Sequence, residues 1–297
     1  MKLSSHIAFI TAHYGLEGGL RILKESGFDA VDHSLEGMIK DDSPFVNDGW
    51  REYAENIRRV ADSVGIEINQ THAPFSFGKR FQNEDDLKNI VMPRIERALE
   101  ISAIFGAKIS VVHPWHYIGS ETQEETFEKN MKFYRELIPY AKEYGVKVAV
   151  ENMWRIDPIR KCIIHDTCSR ADEFVRYIDT LDSEHIVACL DTGHVGLIYR
   201  EDTVADMVRA LGHDRLQCLH VHDNDFCADR HMLPYTGKID WTSFTKALGE
   251  IDYQGDFTYE QGGAFLGTMD DEFLPTGIKF MEQVGRHLIS LVDRNRP

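Results

Sequence analysis

Six short apolar runs in this chain end on side chains that can bind cations: His72, His113, Glu151, Asp191, His222 and Glu260. Imidazole nitrogens and carboxylate oxygens are donors that Zn²⁺ and Mn²⁺ accept. The densest stretch follows Leu216. An alternating apolar run carries His220 and His222 on one face, then releases Asp223, Asp225 and the triplet Asp229-Arg230-His231 into a loop. Two pairs have the spacing of a shared bite, Asp191 with His194 and Asp229 with His231. Taken alone, a strand-end histidine such as His72 or His113 is more often a hydrogen-bonded structural residue than a ligand. The case therefore rests on the set. His222, nearer the strand end, is the candidate ligand, and His220 is expected to be a core histidine satisfied by a neighbour. Asp223 and Asp225 are expected to orient His222 from outside the ligand shell.

These groups lie far apart in sequence, so the elements between them must bring them together. Alternating apolar patterns predict strands over His6–Ile10, Phe28–His33, Ile66–Ala73, Lys108–His113, Lys147–Asn152, His185–Leu190, Leu216–His222 and Gly255–Glu260. Helical patterns fall between them. The clearest is Trp50–Val64, with Trp50, Tyr53, Ala54, Ile57, Val60, Ala61 and Val64 on one face and Gly65 after it. Others are predicted over Leu16–Ser26, Asp86–Phe105 (kinked or restarted at Pro93), Thr122–Tyr144, Ser169–Leu181 with Ser169 as N-cap, Thr203–Leu211 closed by Gly212, Asp240–Ile251 and Gly277–Asp293. Eight strand-then-helix units imply a parallel sheet, and eight is the number that closes a (β/α)8 TIM barrel. The runner-up is an open doubly wound sheet, but no G-x-G-x-x-G follows the first strand. With no linker or low-complexity run, residues 1–297 read as one domain of a size that suits such a barrel. Catalytic groups of a barrel sit at the C-terminal ends of its strands, and strands three to eight deliver the six residues above in order.

Composition narrows the partners. The net charge is −16 and no long basic run occurs, which argues against nucleic acid and anionic membranes. No stretch is apolar for long enough to span a bilayer, and the N-terminus lacks a signal-peptide core. The five cysteines are odd in number and include no C-x-x-C pair. A reduced, cytoplasmic protein is the simplest account, with Cys189 and Cys218 as small buried hydrophobes.

With these residues in place, the whole chain resembles the xylose isomerase-like TIM-barrel superfamily. Within it, the chain looks like the sugar-phosphate isomerase/epimerase group related to D-tagatose 3-epimerase and endonuclease IV. The resemblance is carried by His72-Ala73-Pro74, Val112-His113-Pro114, Val150-Glu151-Asn152, Leu190-Asp191-Thr192-Gly193-His194, His222-Asp223-Asn224-Asp225, Asp229-Arg230-His231 and Tyr259-Glu260. In the epimerase branch it implies one divalent metal (Mn²⁺, Zn²⁺, Co²⁺ or Mg²⁺) held by Glu151, Asp191, His222 and Glu260. It further implies that Glu151 and Glu260 exchange protons with the sugar and that His194 contacts it. In the endonuclease branch it implies a cluster of up to three zinc ions that also uses His72, His113, His194, Asp229 and His231. Relatives are often dimers or tetramers, so a homo-oligomer is in keeping. One departure is Pro234-Tyr235-Thr236-Gly237-Lys238, where relatives often carry a second glycine; Lys238 would face either a substrate phosphate or water.

Three reactions fit this layout. In the first, a divalent-metal-dependent isomerase or epimerase moves a proton through a metal-stabilised enediolate of a sugar or sugar phosphate. In the second, a lyase or dehydratase acts on a keto-sugar or inosose with the same metal and base. The third is zinc-dependent cleavage at abasic DNA. The nine ligands favour it, but the charge and the mixed loops carrying Asp41, Asp42, Asp48, Lys79, Arg80, Glu84 and Asp85 oppose it. Trp115, Trp154, Phe75 and Phe77 follow strand ends, where they either cover the apolar face of a sugar or pack the loops.

Overall fold

The computed structural model describes residues 1–75, 83–115, 122–198, 202–261 and 263–297. Phe77, Lys79 and Arg80 lie outside these residues.

The strands are β1 (Leu3–His6), β2 (Ala30–Ser34), β3 (Glu67–His72), β4 (Ile109–Val112), β5 (Lys147–Glu151), β6 (Trp154–Ile156), β7 (Ile163–His165), β8 (Ile186–Asp191), β9 (Leu216–His220) and β10 (Phe257–Tyr259). Eight of them form one parallel sheet in the order β10-β1-β2-β3-β4-β5-β8-β9. The remaining gap, between β9 and β10, is spanned by a parallel bridge from Val221 to Tyr259, with Val221 N–H donating to Thr258 at 2.8 Å. This is a single (β/α)8 TIM barrel. β6 and β7 form a separate antiparallel hairpin after β5, an addition that the sequence patterns did not predict.

Strand alternation sorts the side chains into two environments. Val148, Val150, Ala188, Leu190 and Leu219 point outward into the core shared with the helices. Val111, Ala149, Val187, Cys189 and Cys218 fill the barrel axis as a separate apolar plug. The next inward positions on the same strands are Glu151, Asp191 and His220, so the polar groups stand directly above this plug. Cys189 and Cys218 are the small buried residues expected of them.

Helix Trp50–Val64 has its predicted limits, and Gly65 ends it in the left-handed region at φ 75°. Pro93 does restart its helix: a π-turn over Leu87–Val91 precedes a helix over Met92–Phe105, with Pro93 in the first turn. Two expectations are corrected. The first strand is Leu3–His6, and a helix begins at Ala8; Ile7 and Ile10, three apart and both buried, mark that helix's inner face. Ser169 is not a cap, because its helix begins at Ala171, whose N–H donates to Asp202 Oδ2 at 2.8 Å. Gly212 closes the predicted helix as expected, leaving the helical region at φ 69°, and a separate turn follows to Arg215. Among the described residues no helix is long and apolar enough to cross a membrane.

Candidate metal centre

All six strand-end residues reach the C-terminal mouth. His72, Glu151 and Asp191 are the last residues of β3, β5 and β8. His113 and Glu260 follow β4 and β10 directly, and His222 lies two residues past β9. His194 sits in the first turn of helix Thr192–Leu197, whose N-terminus is capped by Asp191. Asp229 and His231 arrive on the loop after β9, and a reciprocal backbone pair between Asp223 and Met232 closes that loop's base.

Three of the imidazoles are aimed by the backbone. Nδ1–H of His72 donates to Ala73 O at 2.9 Å, that of His194 to Asn152 O at 2.8 Å, and that of His231 to Glu260 O at 2.7 Å. Each bond turns Nε2 toward the centre, as in histidines that ligate metals. There, Nε2 of His194 and of His231 lie 3.3 and 3.2 Å from Asp229 Oδ2. His113 Nε2 lies 2.9 Å from Glu151 Oε2 and 3.0 Å from His72 Nε2, with the Phe75 ring stacked on it at 4.1 Å. His222 Nε2 lies 3.0, 3.8 and 3.9 Å from oxygens of Asp191, Asp229 and Glu260. The His222 ring is held flat against His231 at 4.1 Å. Gly193 is also required beside it, since a Cβ there would overlap the imidazole.

His220, expected to be a satisfied core histidine, is satisfied by the centre itself. Its Nδ1 lies 2.9 Å from Glu151 Oε1 and 3.6 Å from Glu260 Oε2, and its Nε2 lies 3.3 Å from Asp32 Oδ2. The expected role of Asp223 and Asp225 is corrected. The buried Asp223 carboxylate accepts N–H groups of Asn224, Gly237, Ile239 and Trp241, and so builds the loop. Asp225 binds the backbone at Cys227 and the Arg230 guanidinium near the surface.

Sequence reasoning missed Asp32, together with His6 and Glu36 near it. Asp32 is fully buried on β2, and His6 closes β1. The strand-end rule would have found His6, had the first strand been placed at Leu3–His6. Trp154 meets the His194 ring edge-on at 6.4 Å. Trp115 is buried beside Phe133, its backbone clasped by the Asn130 amide. Lys238 is exposed, 6.0 Å from the Phe226 ring.

The electrostatics divide the carboxylates. Burial opposes ionisation of Glu151, but His220 and His113 outweigh it and hold the carboxyl well below its usual range. Asp191, buried beside His194 and His222, is held at about 2. Glu260 goes the other way, and burial lifts it to about 7 against the pull of His220 and His231. His72 rises to about 9 and His231 to about 10, because neighbouring carboxylates outweigh their burial.

The donor set suits a divalent cation. Several triads bring one ligand atom per residue within 4.8 Å of one another, among them His72 with His113 and Glu151, His72 with His220 and Glu260, Asp191 with His194 and His222, and His222 with Asp229 and His231. His222 Nδ1 and Asp229 Oδ1 are buried without a hydrogen-bond partner among the described residues, a cost that a bound cation or its water would remove.

A closed parallel barrel with histidines and carboxylates converging on its mouth defines the class. Residues 20–283 match the model of the xylose isomerase-like TIM barrel family, and the chain belongs to that family. It is 25% identical over 250 residues to a D-psicose 3-epimerase of Ruminiclostridium cellulolyticum, covering 82% of this chain and 77% of the relative. It is 23% identical over 249 residues to a probable endonuclease 4 of Staphylococcus aureus, covering 78% and 77%. A crystal structure of D-psicose 3-epimerase in the presence of D-fructose superposes with a TM-score of 0.74 at 17% identity, covering 97% of this chain and 99% of the other.

Proposed function

We propose that this protein is a divalent-metal-dependent isomerase or epimerase of a small sugar or sugar phosphate. One observation carries the reading: Glu151 and Glu260 flank a single ring nitrogen of His220 at 2.9 and 3.6 Å, while their surroundings drive their protonation apart. Two carboxyl groups brought to one imidazole, one held ionised and the other poised near neutral pH, are the pairing that acid–base chemistry at one carbon requires. Its relatedness to a D-psicose 3-epimerase supports the same chemistry.

In this reading Glu151, Asp191, His222 and Glu260 hold one divalent cation (Mn²⁺, Zn²⁺, Co²⁺ or Mg²⁺). A cation held by these residues would supply a Lewis acid for a ketose carbonyl and for the negative charge that develops when the neighbouring carbon loses its proton. Glu151 removes the proton from the carbon next to the carbonyl, and Glu260 returns one from the other side. Delivery on the opposite face inverts the carbon and makes the enzyme an epimerase. His194, fixed through Nδ1 by Asn152, positions a sugar hydroxyl, and Trp154 lines the same side of the mouth.

A second reading, a centre of two or three cations, is favoured by the separate triads at His72, His113, Glu151 and at His222, Asp229, His231. Elemental analysis of the protein distinguishes the two by metal per chain. The function is tested with free and phosphorylated ketoses in D₂O. Deuterium entering at one carbon supports the proposal, whereas loss of water from the sugar identifies a lyase. Nicking of abasic duplex DNA without ketose exchange identifies an endonuclease.

A further inference from the structure

We propose that His220 and Asp32 are positioning residues for Glu151, locking its carboxylate in the orientation in which it binds a cation and meets the sugar; this rests on the role proposed above for Glu151. The His220 ring is held at both nitrogens. Nδ1 lies 2.9 Å from Glu151 Oε1, and Nε2 lies 3.3 Å from Asp32 Oδ2. Asp32 is held in turn by the Gln70 amide, which donates to the same oxygen at 3.0 Å, and the Gln70 carbonyl accepts the Cys218 thiol at 3.0 Å. The His72 ring lies parallel to His220 at 5.6 Å and limits its tilt.

The string thus runs from β2 and β3 across the barrel axis through β9 to the end of β5. Asp32 and His220 are both fully buried. Both ring nitrogens of His220 are engaged by carboxylates, and Asp32 Oδ2 is engaged by His220 and Gln70. What they can do is fix the angle and reach of Glu151. Because His220 Nδ1 also lies 3.6 Å from Glu260 Oε2, the same ring sets the spacing between the two carboxylates. Partners of this kind, one bond behind a ligand, are worth 10–100-fold in metal affinity.

The test compares three substitutions that differ in where they place a donor. His220→Asn keeps an N–H close to the Nδ1 position, His220→Gln moves it to the Nε2 position, and His220→Leu has none. Co²⁺ is titrated into chelator-stripped protein and followed by its visible absorption, with far-ultraviolet circular dichroism checking the fold. The Gln and Leu variants should bind Co²⁺ about 10–100-fold more weakly with altered band intensities, and Asn should stay within about threefold of the parent. Asp32→Ala, which frees the ring, should behave like Gln. If the parent binds Co²⁺ and a folded Gln variant binds as tightly as Asn, the positioning role is overturned while the metal centre stands. If the parent binds no Co²⁺, the metal reading fails first and this inference falls with it.

Discussion

Replacing Asp223 by Asn is a near-isosteric change that should cost this protein more than removing many larger side chains. Each Asp223 oxygen accepts two N–H groups: Oδ1 takes Asn224 and Ile239 at 2.9 and 3.1 Å, and Oδ2 takes Gly237 and Trp241 at 3.0 and 2.9 Å. An asparagine has one acceptor oxygen, so its NH₂ must face two donors. Two buried N–H groups are then orphaned at about 1–3 kcal/mol each, a loss of about 4 kcal/mol. Asp225 differs, because its side chain is 34% exposed and pairs with the still more exposed Arg230. Asp225→Asn keeps an acceptor for the backbone and loses a surface ion pair, for under about 1 kcal/mol. Urea unfolding of the two variants reads the difference through the midpoints at constant slope. If Asp223→Asn lost less than about 1 kcal/mol, Asp223 would not be building the loop that carries Asp229 and His231.

Three further outcomes are expected. Gly193→Ala places a Cβ where the His222 imidazole stands, and His231 is stacked on that ring; Co²⁺ affinity should fall at least tenfold, and unchanged binding would mean that His222 is not a ligand. Glu173 is buried, with one oxygen unpartnered among the described residues, and burial lifts its carboxyl from 4.5 to about 7. The folded chain then keeps a proton that the unfolded chain has released, so this group's stability contribution is fully present below pH 4.5 and is lost as pH rises through 7, by about 3 kcal/mol. Glu173→Gln should therefore match the parent near pH 4.5 and exceed it at pH 8 by about that amount in urea unfolding; equal midpoints at pH 8 would refute the assignment. Finally, a cation bound only by the folded chain should stabilise it by about 2.7 kcal/mol at a hundredfold excess over its dissociation constant. Excess chelator should lower the urea midpoint accordingly, and an unchanged midpoint would argue against a folded-state site.

The barrel and its ring of ligands were legible because two periodicities coincide. Inward positions on a parallel strand recur every second residue, and the strand ends face one mouth. Glu151, Asp191 and His222 therefore announce themselves from the pattern. The first strand was misplaced because Ile7 and Ile10 form a short apolar run that suits either a strand or a helix, and that error hid His6. Asp32 was hidden for another reason: its partners, Gln70 and His220, are 38 and 188 residues away, and no local spacing encodes such a contact. Asp223 and Asp225 look alike in His222-Asp223-Asn224-Asp225, and only the fold places one at the hub of a loop and the other near the surface. The β6–β7 hairpin is three residues a side, too short to show a period.

The central claim is that Glu151, Asp191, His222 and Glu260 share one cation. Anomalous diffraction from crystals grown with Mn²⁺ tests it directly. The account predicts a peak within coordination distance of all four side chains. A peak bound only by other residues, or none at saturating Mn²⁺, would contradict it.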